Sequence, residues 1–85
     1  MKHLTIKQCV GVTARAFGIH PSRITIKNKR IKVVRPRDQA FLLARESGHS
    51  LHEIGDFFDM DPGSVLQGSR RAKALRDKAR GWSNG

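Results

Sequence analysis

Residues 50–67 read SLHEIGDFFDMDPGSVLQ and contain two helix starts separated by a tight turn. Ser50 and Glu53 have the spacing of a capping box, in which each side chain accepts a hydrogen bond from the other residue's backbone amide. Asp61 and Pro62 mark the second start, because proline at the first helical position loses no hydrogen bond. Two short capped helices joined by a turn predict a helix-turn-helix.

The rest of the chain predicts an all-α fold, a small bundle built around the helix-turn-helix. Thr5 and Gln8 form a second capping box, and Gly18 ends the helix that follows. Pro36 is expected in the first turn of a later helix that stops at Gly48. The last helix is expected to run to about residue 79. At 100° per residue it turns four small or apolar residues towards the core: Val65, Ser69, Ala72 and Ala79.

Residues 23–34 leave an alternative open. Ile24, Ile26 and Ile31 are β-branched and stand among charged or hydroxyl-bearing residues, a pattern typical of strands. Asn28-Lys29 is suited to a turn between them. Local propensity therefore favours a short β-hairpin at 23–34 beside the helices.

Composition limits the chain to one small domain with an anionic partner. The 85 residues include 17 Lys+Arg and 7 Asp+Glu, a formal net charge of +10. Such an excess repels itself, so we expect it to serve a polyanion. We expect residues 1–80 to form a single domain with a thin core and 81–85 a flexible tail.

The sequence lacks the residues that several classes of function require. Cys9 is the single cysteine, so we expect a buried core thiol, no internal disulfide and a reducing cytoplasm. No apolar run is long enough for a membrane span. His49, His52 and Glu53 lack a fourth ligand for zinc. Residues 63–69 have the glycine spacing of a phosphate-binding loop, but serine replaces its lysine. We expect no enzyme activity, catalytic residue, metal, cofactor or bound nucleotide.

The outward side of the last helix is suited to reading DNA because it contains no acid. Gln67 suits the edges of adenine or guanine, while Arg70 and Arg71 suit guanine or phosphate. The candidate contacts on this helix are Gly63, Ser64, Gln67, Arg70 and Arg71.

A second candidate contact is the basic segment 27–37, KNKRIKVVRPR. Its cations are Lys27, Lys29, Arg30, Lys32, Arg35 and Arg37. As a loop or hairpin beside the last helix, it could enter a minor groove or line phosphates. Arg45, Ser50 and His52 lie near helix ends and are further candidates for phosphate contact.

The residues from about Thr5 to Ala79 resemble the C-terminal DNA-binding domain of the bacterial replication initiator DnaA, a helix-turn-helix of the Trp-repressor type. The matching positions are VVRPR at 33–37, HSLHEIG at 49–55, and shorter matches at 40, 43–46, 61 and 64–66. The resemblance implies an all-α fold with a short helix at 22–27 and a basic loop at 28–35.

The resemblance also implies roles for individual residues. Lys29 matches the position that the family places in the minor groove, where arginine is usual. Arg37 matches an arginine that the family uses on DNA. Arg45 and His52 match positions that contact phosphate.

Three departures from the family concern base recognition. Pro62 and Gly63 stand where the family has a base-reading histidine and threonine. Asp38 stands where the family has glutamine, and it is expected to face an anionic partner. The initiator's ATPase domain is absent, so we expect a free-standing module that keeps the DNA-binding mode but not the initiator's recognition sequence.

We therefore expect sequence-preferring binding to double-stranded DNA that regulates transcription or replication, by a cytoplasmic, nucleoid-associated monomer. The alternative is an interaction module that binds a replication or transcription protein, which the three departures motivate. RNA binding is a third hypothesis, for which few aromatic residues are available to stack on unpaired bases.

Overall fold

Five helices make up the computed structural model, which describes residues 4–25 and 31–81. They are α1 (Ile6–Phe17), α2 (Pro21–Thr25), α3 (Ile31–Glu46), α4 (Leu51–Phe58) and α5 (Pro62–Gly81). No strand occurs within these two ranges. The predicted all-α class is confirmed.

The ends of α1 and α4 form as the local sequence predicts. The Thr5 hydroxyl accepts a hydrogen bond from the Gln8 amide at 3.0 Å, and the Gln8 side chain accepts one from the Thr5 amide at 2.8 Å. The corresponding bonds between Ser50 and Glu53 measure 3.1 and 2.8 Å. The bond from the Ser50 amide holds the pKa of Glu53 below its usual value. Gly18 ends α1 in the left-handed conformation, with φ of 69°.

The prediction of a β-hairpin at 23–34 is wrong for residues 23–25 and 31–34, the part of this segment that the structure describes. Pro21–Thr25 form α2, and α3 already begins at Ile31. The expected turn at Asn28-Lys29 lies outside the described residues. Ile24 is 0% exposed and sits in the hydrophobic core, so packing between helices overrides its preference for strands.

The start of α3 also differs from the prediction. Pro36 lies inside the helix rather than in its first turn, and its missing N–H removes one backbone hydrogen bond there. The prediction of a basic loop at 28–35 is therefore wrong for residues 31–35, which are helical. Residues 26–30 lie outside the described part of the chain. Pro36 is itself buried, so packing of α3 outweighs the lost bond.

The core is organised around α3, which contacts each of the other four helices. Phe41 of α3 is 1% exposed and packs edge-to-face on Phe58 of α4, with ring centroids 4.9 Å apart. The other large side chains that are completely buried in the described part are Cys9, Ile24, Ile54 and Val65. Ala79, predicted to be in the core, is instead exposed, as are Asp77 and Lys78, so the core does not reach the end of α5.

The turn between α3 and α4 is tied to the start of α1. Gly48, with φ of 100°, follows the last turn of α3 and confirms the predicted stop. The His49 Nε2 atom donates to the Leu4 carbonyl at 2.7 Å, and its Nδ1 atom lies 3.8 Å from the Glu53 carboxylate. His49 thus joins the N-terminal ends of α1 and α4.

Gly55 marks the closest approach between α4 and the turn that precedes α5. A Cβ there would lie 2.5 Å from the backbone oxygen of Met60, and no side-chain movement relieves a backbone contact. We expect Gly55→Ala to lower the free energy of unfolding by about 1–3 kcal/mol.

Gly11→Ala is the matched control, because a Cβ at Gly11 meets nothing within 4 Å. Alanine inside α1 should raise the free energy of unfolding by about 0.5–1 kcal/mol. Urea unfolding of both variants measures the difference. Equal destabilisation by the two substitutions would contradict the close approach at Gly55.

Candidate nucleic-acid interface

The helix-turn-helix formed by α4 and α5 has the predicted caps. Asp59 makes the turn in the left-handed conformation, with φ of 57°. The Asp61 carboxylate accepts a hydrogen bond from the Gly63 amide at 2.8 Å, and Pro62 is the first residue of α5. The start of α5 is thus set by contacts within three residues, as the sequence indicates.

The outer face of α5 is exposed and rich in hydrogen-bonding groups. We define this outer face by Gly63, Ser64, Gln67, Arg70 and Arg71, all of them exposed. On the opposite side of the helix, Val65 is 0% and Ser69 6% exposed. The division of α5 into a core side and an outer face is confirmed for these positions. The outer face combines a hydroxyl, an amide and two guanidinium groups.

Asp38 of α3 lies buried against α5 instead of facing a partner, which corrects the prediction. Its side chain is 7% exposed, and its two carboxylate oxygens accept hydrogen bonds from Arg71 Nε at 2.9 Å and Nη2 at 3.1 Å. This pairing raises the pKa of Arg71 above its already high usual value, chiefly through the hydrogen bonding. The buried carboxylate is therefore satisfied by a cation from the outer face of α5.

Gly68 makes this close approach of α3 and α5 sterically feasible. A Cβ at Gly68 would lie 2.6 Å from Asp38 Oδ1 and 2.7 Å from Phe41 Cδ2. Glycine is costly inside a helix, but here the missing side chain leaves room for the carboxylate. The sequence pattern did not indicate the Asp38–Arg71 pair, since 33 residues separate its members.

The basic segment is only partly described. Arg35 is exposed and Arg37 half-buried, both in the first half of α3. Lys27, Lys29 and Arg30 lie outside the described residues, and Lys32 is described only as part of the α3 backbone. The role of this segment in binding stays a prediction.

Four cations surround a groove between α3 and α5 that the sequence pattern did not indicate. The groove has a volume of about 330 Å³ and is lined by Arg45, Arg70, Lys73 and Arg76. Arg76 Nη1 lies 2.9 Å from the Glu46 carboxylate, so one of these charges is paired. Arg45 and Arg70, predicted separately, thus lie at one groove. The spacing of Arg70 and Lys73 on one flank of a helix was the available signal.

The remaining predicted contacts, Ser50 and His52, lie at the N-terminal end of α4. Both are exposed. The Ser50 hydroxyl accepts a hydrogen bond from the Glu53 amide, which leaves its own O–H able to donate to an anion. The positive end of the α4 dipole also favours an anion at this place.

The described residues offer little for other kinds of chemistry. No group of three or more His, Cys, Asp or Glu residues within them has the arrangement of a metal site. Burial raises the pKa of the Cys9 thiol, which lies 3.7 Å from the Ser47 hydroxyl. The expected buried core thiol is confirmed. None of the helices in the described ranges is both long and apolar enough to cross a membrane.

One comparison with known proteins identifies a family. The family model described as bacterial dnaA protein helix-turn-helix matches residues 6–72, from the start of α1 into the second half of α5. The matched range includes the whole outer face of α5, and the resemblance drawn from the residues is confirmed over it. No solved structure matches the chain.

Proposed function

Because the chain belongs to the bacterial DnaA protein helix-turn-helix family, we propose that it binds a preferred sequence of double-stranded DNA and thereby regulates transcription or replication. In this proposal α5 enters the major groove, which admits an α-helix. The basic segment and the N-terminal end of α4 contact the flanking backbone.

The single observation that carries the proposal is the outer face of α5. Its hydroxyl, amide and guanidinium groups lie on one exposed surface. Of the two neighbouring acids, Asp61 caps the start of α5 at the Gly63 amide, and Asp38 is buried and paired with Arg71. An acid-free surface of this kind suits contact with an anionic groove. Pro62 and Gly63 have no polar side chain. The base contacts are therefore assigned to Ser64, Gln67 and Arg71.

Phosphate contact follows from the distribution of charge. The net charge of +10 is concentrated in the basic segment and in the cations that line the groove between α3 and α5. Arg45 belongs to that groove, and His52 to the exposed start of α4. Polar and charged side chains at these places position a protein on the duplex without reading its sequence.

The basic segment is tested by removing one cation at a time. We expect Lys29→Ala and Arg37→Ala each to weaken binding to a fluorescent duplex by about 1–2 kcal/mol. Lys7→Ala is the matched control, since it removes the same charge from the exposed surface of α1. Thermal unfolding shows whether each variant is folded. If all three variants bind as the wild type does, the interface lies elsewhere.

Gln67 is expected to contribute base preference more than affinity. Gln67→Ala removes an exposed amide from the outer face of α5 without disturbing the core. Selection from random duplexes should yield a motif with one relaxed position, and the affinity for the wild-type site should fall by about 1 kcal/mol, the lower end of what one bidentate base contact supplies. An unchanged motif would mean that Gln67 reads no base.

A further inference from the structure

We propose that Asp38 is a positioning residue that holds Arg71 in the orientation required to read a guanine in the major groove. This inference rests on the proposed function and adds the base that α5 selects. It assigns to an acid of α3 a part in specificity, although that acid touches no DNA itself.

The geometry of the ion pair leaves the reading edge of Arg71 available. Asp38 occupies the edge of the guanidinium formed by Nε and Nη2, with hydrogen bonds of 2.9 and 3.1 Å. The edge formed by Nη1 and Nη2 keeps two parallel N–H donors. Guanine presents O6 and N7 as paired acceptors in the major groove, and a bidentate arginine matches them.

Burial differs between the two partners in the way that this role requires. The Asp38 side chain is 7% exposed, whereas the Arg71 side chain is 55% exposed. The carboxylate is confined beside Gly68 and Phe41, where no added Cβ would fit. Arg71 is therefore anchored from the protein side and open towards the partner. Anchoring before binding reduces the conformational entropy lost when the contact with DNA forms.

If the Asp38–Arg71 ion pair only linked α3 to α5, Asp38→Asn would have a different effect from the one that a positioning role predicts. Asp38→Asn removes one negative charge from the protein, so general attraction to phosphate should stay equal or increase. Discrimination at one base pair should fall, because the guanidinium loses its charged, bidentate anchor. A structural link alone would lower stability and leave the selected motif unchanged.

The experiment is selection from a pool of duplexes with randomised base pairs, carried out with the wild type, Asp38→Asn, Arg71→Lys and Arg71→Ala. The wild type should select a motif that contains one guanine that all three variants lose, while its other positions persist. Discrimination at that base pair should fall roughly five- to a hundred-fold, the range expected for one bidentate contact. Arg71→Lys keeps the charge but lacks the planar fork, so it tests the edge geometry even if Asp38→Asn fails to fold.

The possible outcomes separate this inference from the proposed function. A wild type that enriches no sequence, or that binds no duplex at low salt, overturns the proposed function and this inference with it. A wild-type motif that the folded Asp38→Asn variant retains overturns the positioning role alone, whatever Arg71→Lys selects. Loss of different positions in the Asp38 and Arg71 variants also overturns it. Thermal unfolding of each variant identifies which of them are folded during selection.

Discussion

Raising the salt concentration from about 50 to about 200 mM should weaken duplex binding roughly a thousand-fold, if about six phosphates are neutralised. The reason is that each contact between a cation and a phosphate releases a counterion, and added salt opposes that release. With a net charge of +10 and a basic groove beside α5, the chain has the cations for contacts of this number. Fluorescence anisotropy of a labelled duplex at several salt concentrations measures the slope.

The slope should also depend on named residues. The double variant Lys29→Ala with Arg37→Ala should make the log–log slope shallower by about 2, because two cations are removed from the interface and fewer counterions are released. Lys7→Ala, which removes a charge from α1, should leave the slope unchanged. A wild-type affinity that falls less than about tenfold over this range would contradict phosphate contact as the main source of binding.

Phe41→Ala should lower the free energy of unfolding by about 3–5 kcal/mol, the largest effect that we expect from a single core substitution. Phe41 is 1% exposed, packs edge-to-face on Phe58 and lies against Gly68 of α5. Truncation leaves a cavity where α3, α4 and α5 meet. The free energy of unfolding of natural domains is only about 5–15 kcal/mol, so this variant would lose much of its stability.

Phe57→Ala is the matched control because its ring is 43% exposed, although it also contacts Phe58, with centroids 5.2 Å apart. We expect Phe57→Ala to lower the free energy of unfolding by about 1 kcal/mol or less, since part of the Phe57 ring is already exposed to water. Denaturant unfolding followed by circular dichroism compares the two variants. Similar losses would mean that the junction of the three helices is not the centre of the core.

The proposed interface uses a helix whose first residues differ from the family pattern. Pro62 and Gly63 replace the base-reading histidine and threonine that the resemblance implies. They still serve α5 structurally, because Pro62 begins the helix and the Gly63 amide bonds to Asp61. Base contacts are therefore expected further along the helix, at Gln67 and beyond. The bound DNA sequence should differ from the site of the initiator.

The sequence alone was sufficient where the deciding interactions are local. The caps at Thr5 and Ser50, the stop at Gly18 and the start of α5 at Asp61 all depend on hydrogen bonds within a few residues. The exposed outer face of α5 followed from helical periodicity. Cap residues and periodicity together predicted the helix-turn-helix, and the net charge indicated a polyanionic partner.

Only the tertiary structure decided the features that depend on distant parts of the chain. Ile24 is helical because the core buries it, and α3 continues through Pro36 because its packing outweighs one missing hydrogen bond. Asp38 faces inward because Gly68 leaves room for its carboxylate and Arg71 neutralises it. Local propensity amounts to less than about 1 kcal/mol at Ile24 and about 3 kcal/mol at Pro36. Burying several apolar side chains, at about 1.5–3 kcal/mol each, or leaving a buried charge unpaired involves a larger free energy.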